Sequence, residues 1–226
     1  MPEGPEVWIL SEAINKFYHS EKTKAYGKHL FVFSHETTSL CVESNTNFGS
    51  TFLKGGLNWS FGLTGTVEIS DDNELKKIDS GWIYGDKVNF DDYTLETQKL
   101  GIDWLTCSEA ELRKEVDSWI KSKKKIAALI LNQQLISGIG VAWGSEILFK
   151  ADLRPDMRCC DQVLNKLADS MIEIREEVKK KYNEQLDESN CKEFINEWFT
   201  NLYEIREMNV YKKGSQVKVL GRNWWV

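Results

Sequence analysis

The hydrophobic period of this chain changes near residue 105, and that change limits what it can fold into. Before it come short runs rich in aromatic and β-branched residues, with turn residues between them. They are His29-Leu30-Phe31-Val32-Phe33, Leu40-Cys41-Val42-Glu43, Leu57-Asn58-Trp59-Ser60-Phe61 and Thr66-Val67-Glu68-Ile69. Trp82-Ile83-Tyr84 and Lys87-Val88-Asn89-Phe90 flank Gly85-Asp86, a hairpin signal. After it the period is helical, and helices are predicted over 109–122, 125–136, 142–150, 160–185 and 190–199. Residues 210–226 return to strand–turn–strand. Strands first and helices later predict an α+β chain: an N-terminal helix with an antiparallel β-sandwich or barrel over 1–105, then a helical domain over 106–226. At 226 residues the chain is long enough for two modest cores.

The most specific chemistry lies in the first seven residues, Met1-Pro2-Glu3-Gly4-Pro5-Glu6-Val7. Pro2 is small enough to let the initiator methionine be trimmed, leaving proline as the terminus. Its free secondary amine would condense with an aldehyde to a cationic iminium, a variant of Schiff-base catalysis. Glu3 is the nearest group that could shuttle protons for such an adduct. Pro5 suits the first turn of a helix, where a missing N–H costs nothing. Val7-Trp8-Ile9-Leu10, Ala13-Ile14 and Phe17 follow at helical spacing. The positive end of that helix's dipole disfavours the ammonium form of an amine ahead of it. Taken alone, the two prolines equally describe a stiffened, exposed terminus.

Composition narrows the class. No apolar run is long enough to cross a membrane, and no basic segment with an apolar stretch marks a secretory signal. Cys41, Cys107, Cys159, Cys160 and Cys191 form no CxxC pair and no metal-ligand spacing. They read as reduced thiols of an intracellular protein. There is neither an HExxH nor a GxSxG, which argues against a zinc or serine hydrolase. The net charge of −6 weighs against phosphate binding. Yet basic clusters stand at Lys121-Ser122-Lys123-Lys124-Lys125, Lys179-Lys180-Lys181 and Lys212-Lys213. Such runs are usually solvated helix faces; placement, rather than net charge, decides whether they touch phosphate.

A second strong signal is Leu131-Asn132-Gln133-Gln134-Leu135-Ile136-Ser137-Gly138-Ile139-Gly140, followed by a new helix near Val141. Paired glycines permit a tight turn and close approach of backbone N–H groups to an anion, and the helix N-terminus adds its dipole. By itself Gly-Ile-Gly also fits a plain helix–turn–helix in a core. Together with the terminus, however, it resembles the formamidopyrimidine-DNA glycosylase / endonuclease VIII family. Gly4 is more typical of the endonuclease VIII branch. Gly138-Ile139-Gly140, Trp143, Glu146-Ile147-Leu148-Phe149 and Leu153-Arg154-Pro155 resemble that family's helix–two-turn–helix region, with Glu146 read as structural. Leu100-Gly101-Ile102-Asp103-Trp104-Leu105 resembles the segment that closes its first domain. Val210 to Trp225 resembles its finger hairpin (about 207–226) without the four zinc cysteines.

The resemblance implies roles, position by position. Pro2 is the nucleophile and Glu3 the acid–base. Lys28, in Tyr26-Gly27-Lys28-His29-Leu30, grips phosphate beside the lesion; on its own it reads as an exposed lysine where a strand starts. Leu63, in Ser60-Phe61-Gly62-Leu63-Thr64-Gly65, either fills the gap left by an extruded base or packs on the core. Gly138, Ile139 and Gly140 hold the DNA backbone, and Arg222 contacts the phosphate of the flipped nucleotide. The implied activity is bifunctional: DNA glycosylase on oxidised bases, pyrimidines favoured, and AP lyase. No metal or organic cofactor is implied. The implied partner is damaged DNA (duplex, bubble or single-stranded), not a membrane, and the protein is expected to be an intracellular monomer, in nucleus, cytoplasm or nucleoid. A non-catalytic damaged-DNA-binding module on the same scaffold is the alternative. Three departures bear on turnover: Val141 stands where the family has asparagine, the Pro-Arg-Arg-Phe loop is missing, and the stretch before Lys28 is short.

Overall fold

The structure, a computed structural model, describes residues 3–20, 23–32, 57–60, 66–69, 71–73, 75–78, 87–90, 97–197 and 208–226. Pro2, Leu63, the predicted strands at 40–43 and 82–84 and the Gly85-Asp86 turn lie outside these residues. The fold is α+β, in two compact units: Met1–Thr97 with Tyr182–Arg206, and Gln98–Lys181 with Glu207–Val226. This division differs from the one expected at 105/106. Residues 98–105 go with the second unit, and residues 182–206 return to the first.

In the first unit, helix α1 (Gly4–Phe17) buries Val7, Leu10 and Ile14 together with Ile9 and Ala13. That three–four spacing is the apolar stripe an amphipathic helix needs. Strands β1 (Thr23–Tyr26), β2 (His29–Val32), β3 (Leu57–Ser60) and β6 (Lys87–Phe90) form one antiparallel sheet in the order β1-β2-β3-β6. Strands β4 (Thr66–Ile69) and β5 (Leu75–Ile78) pair separately. The sequence pattern did not reveal β1, which depends on a tertiary lock. Asn15 of α1 donates to the Thr23 carbonyl and accepts from the Thr23 N–H, both at 2.8 Å. The Ser11 and Thr23 hydroxyls lie 3.0 Å apart beside them. Helix α6 (Cys191–Asn196) packs on α1 and β4, and Asn196 accepts from Ile69 N–H at 2.7 Å. Lys16 donates to the Leu186 carbonyl at 2.8 Å, another tie between α1 and the returning segment.

The second unit contains α2 (Glu109–Ser118), α3 (Ile126–Ile130), α4 (Val141–Lys150) and the long α5 (Asp161–Gln185), whose last residues, from Tyr182, count with the first unit. Ser108 caps α2 in a capping box with Glu111. The helix predicted over 125–136 is shorter than expected and stops at Ile130. Asn132 turns the chain, its Oδ1 accepting from Gln134 N–H at 3.1 Å, an Asx turn that competes with helix. The chain then runs as β8 (Ile136–Ser137), parallel to β7 (Ile102–Asp103). Gly101 is required there, because a Cβ would sit 2.1 Å from the Leu135 carbonyl oxygen. Buried Arg175 of α5 secures the β7 side, donating to the carbonyls of Trp104 at 3.2 Å and Cys107 at 2.9 Å. Last in the chain are β9 (Gln216–Val219) and β10 (Arg222–Trp225), an antiparallel hairpin.

Candidate functional site

Glu3 is the N-cap of α1 and is buried, at 7 % exposure, so its carboxylate is held at the helix's positive end rather than in solvent. Glu6, fully buried three residues on, accepts the Glu3 N–H at 2.7 Å. That bond satisfies a donor at the helix start and fixes the backbone that follows Pro2. Glu6, which braces the candidate Glu3, was not singled out from the sequence. Its signal was present, since Glu three residues after an N-cap is half of a capping box. Gly4 and Pro5 open the helix, so residue 2 lies two positions ahead of its first turn.

Lys28 is at the tip of the β1–β2 hairpin, half-exposed, with Tyr26 paired to His29. Gly27, at φ 58°, takes the left-handed position that so short a loop demands. Glu3 and Lys28 thus belong to one unit, connected through the Asn15–Thr23 lock between α1 and β1.

The other candidates belong to the second unit and are organised by α4. At its N-terminus, Gly138 has φ 98°, Ile139 is fully buried and Gly140 is the N-cap. Gln133 braces this turn: its amide donates to the Ile139 carbonyl at 2.9 Å, and its Oε1 accepts the Gly138 N–H at 3.0 Å. The Gly138 amide is therefore engaged within the protein. Val141, half-buried, is the first helical residue. No sequence signal marked Gln133, because its partners lie across a turn that only the folded chain defines.

Across the middle of α4 sits the β9–β10 hairpin. A Cβ on Gly144 would lie 3.0 Å from the Trp224 ring, and Trp224 is fully buried. Ser145 Oγ accepts the Trp225 N–H at 3.2 Å. Glu146, 4 % exposed, accepts three N–H groups: Asn209 at 2.8 Å, Val210 at 2.8 Å and Tyr211 at 2.7 Å. Its carboxylate anchors the segment that leads into the hairpin, a structural role. Arg222, at the start of β10, is exposed. Among the described residues, no group of three or more His, Cys, Asp or Glu could hold a metal ion.

The candidate groups are a buried carboxylate at the N-cap of α1, a glycine turn at the N-terminus of α4, and a lysine and an arginine at two hairpins. Among the described residues, no helix is long and apolar enough to cross a membrane.

No protein-family model and no curated protein matches the chain. Solved structures do. One is Fpg (MutM) of Lactococcus lactis in complex with DNA containing N7-benzyl-Fapy-dG, at 17 % identity and TM-score 0.58, covering 99 % of this chain and 97 % of that one. A second is MutM (Fpg) of Thermus thermophilus, at 15 % identity and TM-score 0.61, covering 99 % and 96 %. A third is MutM in complex with DNA containing carbocyclic 8-oxo-G, at 18 % identity and TM-score 0.61, covering 99 % and 97 %. The likeness covers 99 % of the chain and shows an Fpg-like fold.

Proposed function

We propose, taking the Fpg fold as premise, that this protein is a bifunctional DNA glycosylase and AP lyase. It removes oxidised bases, pyrimidines favoured, in the manner of the endonuclease VIII branch. The observation that carries this reading is the Pro2-Glu3 terminus leading directly into α1, with Glu3 buried at the helix N-cap and its backbone held by Glu6. The structural neighbours in complex with damaged DNA support the substrate class.

The chemistry requires the damaged nucleotide to leave the stack. The neutral amine of Pro2 attacks C1′ of the extruded sugar, the N-glycosidic bond breaks, and the departing base takes up a proton. Ring opening at O4′, with protons moved by Glu3, leaves an iminium between Pro2 and C1′. The iminium acidifies the 2′ hydrogen. Loss of that proton expels the 3′ phosphate by β-elimination, and δ-elimination then expels the 5′ phosphate. A place in the sequence just ahead of α1 favours the neutral amine. Lys28, the turn at Gly138–Ile139–Gly140 and Arg222 hold the backbone around the lesion, with Leu63 as the wedge. The β9–β10 hairpin acts as a zincless finger, held by strand pairing and by Trp224 on α4. No cofactor takes part, and the protein acts as a monomer where cellular DNA is kept.

Borohydride trapping tests this. Protein beginning at Pro2, mixed with duplex DNA carrying an oxidised pyrimidine or an abasic site, gives a covalent protein–DNA band on reduction. With Met1 retained or a tag on the terminus, the band vanishes while binding persists. Undiminished trapping with a blocked terminus would move the chemistry to a lysine. Damage-selective binding with no band from a free Pro2 would select the second reading, a non-catalytic damaged-DNA-binding module, which Val141 and the missing wedge loop favour.

A further inference from the structure

The β9–β10 hairpin closes through a two-residue loop, Leu220-Gly221, with Val219 paired to Arg222. Both loop residues have positive φ, 55° at Leu220 and 72° at Gly221. Loops of this kind select Asn, Asp or Gly at the first position. A leucine there is strained, because its Cβ crowds the following carbonyl oxygen. Leu220 is also the most exposed of the large apolar side chains among the described residues, at 57 %. Folding explains neither feature, since asparagine would suit both the turn and the solvent.

The surroundings indicate what covers it. From Met208 to Val226 there is no Asp or Glu, while Lys212, Lys213, Lys218 and Arg222 carry positive charge. The hairpin is therefore a cationic element with one apolar residue at its tip, a match for nucleic acid rather than for a membrane-buried or apolar protein surface. Leu220 and Arg222 are two residues apart, so their Cα atoms are within about 7 Å. If Arg222 binds the phosphate of the extruded nucleotide, Leu220 reaches no farther than the adjoining step. Apolar side chains inserted at a base step are a known device for holding a duplex open.

We propose that Leu220 is a second wedge: its side chain packs on the face of a base left unstacked next to the extruded nucleotide. This rests on the DNA-repair reading above and assigns the hairpin tip a part beyond the phosphate contact of Arg222. It also supplies an insertion group to a chain that lacks the Pro-Arg-Arg-Phe loop.

The test uses the full chain and three proteins: wild type, Leu220→Asn and Leu220→Met. The probe is a duplex with a tetrahydrofuran abasic-site analogue and 2-aminopurine beside it, against the same site in a bubble and an undamaged duplex. Leu220→Asn should unfold at the same temperature as wild type or higher, because the turn is relieved. Its affinity for the damaged duplex should fall roughly tenfold, as expected for loss of one buried leucine contact. The 2-aminopurine fluorescence rise should disappear with it, while binding to the bubble stays within about threefold, a change under 1 kcal/mol. Leu220→Met should restore both signals. Unchanged duplex affinity and fluorescence in Leu220→Asn, with wild type binding damage selectively, would overturn the wedge and leave the repair reading intact. A wild type that does not prefer the damaged duplex over the undamaged one would overturn the repair reading, and this inference with it.

Discussion

Among single residues, the carboxylates do most to hold the candidate site. Glu146 lies buried against three backbone donors on 209–211. Removing it strands those donors, and each unsatisfied buried group costs about 1–3 kcal/mol. Glu146→Ala should therefore destabilise the protein by about 3 kcal/mol or more, read as a fall in the urea midpoint. Glu146→Gln keeps one acceptor oxygen and should lose less. A wild-type midpoint for Glu146→Ala would mean that the 209–211 amides find other partners. Glu3 is also buried, but it caps a helix that begins beside the terminus. Glu3→Gln should lose base excision far more than cleavage of a ready-made abasic site, because only the first step needs a departing base protonated and a sugar opened. Equal losses on the two substrates in single-turnover assays would contradict that division.

The organising element of the second unit is α4, with the glycine turn at its start and the hairpin across its middle. Gly144 lets the hairpin approach. Alanine there would need Trp224 to move by a few tenths of an ångström and would gain about 1 kcal/mol of helix propensity, so it should be nearly neutral. Gly144→Leu cannot be accommodated and should unseat Trp224. The expected result is a loss of activity on duplex DNA, with increased protease cleavage within 207–226. An intact, active Gly144→Leu protein would show that the hairpin docks by other means. The same element carries the metal question. Trp224 is buried and β9 pairs with β10; on the proposed reading these contacts do the work that a tetrahedral zinc site would do in a metal-bound finger. Elemental analysis should find no stoichiometric zinc, and chelators should leave activity unchanged; one zinc per chain would defeat the zincless assignment.

For the molecule as a whole, the deciding quantity under the proposed function is the cost of extruding a nucleotide, a few kcal/mol in a paired duplex and least where the base is already unpaired. On the proposed function, filling the gap and bracing the orphaned base would offset that cost. This chain lacks the Pro-Arg-Arg-Phe loop, and Val141 has no hydrogen-bonding side chain for a phosphate. Excision from single strands, bubbles or mismatches should therefore rival or exceed excision from perfect duplex, with weak discrimination by the opposite base. Single-turnover excision of one oxidised pyrimidine in the three contexts measures this. A strong duplex preference with sharp opposite-base selectivity would show that the wedge at the hairpin tip, or another loop, does the full work.

What the sequence determined by itself was local. The α1 stripe, the extents of β4 and β6 and the starts of the helices at Glu109 and Cys191 follow from period and capping within one residue or so, because these signals act between near neighbours. The proposed Pro2-Glu3 chemistry likewise rests on adjacent residues. Tertiary structure alone decided where the units divide, since residues 182–206 join α1 through contacts such as that of Lys16 with Leu186 across 170 positions. It decided β1, which has no pattern of its own and depends on Asn15. It ended α3 at Ile130, where apolar spacing would continue a helix but pairing with Ile102–Asp103 requires a strand. It also gave Gln133 and Glu146 their tasks, because a buried polar side chain is defined by the distant backbone groups it must satisfy.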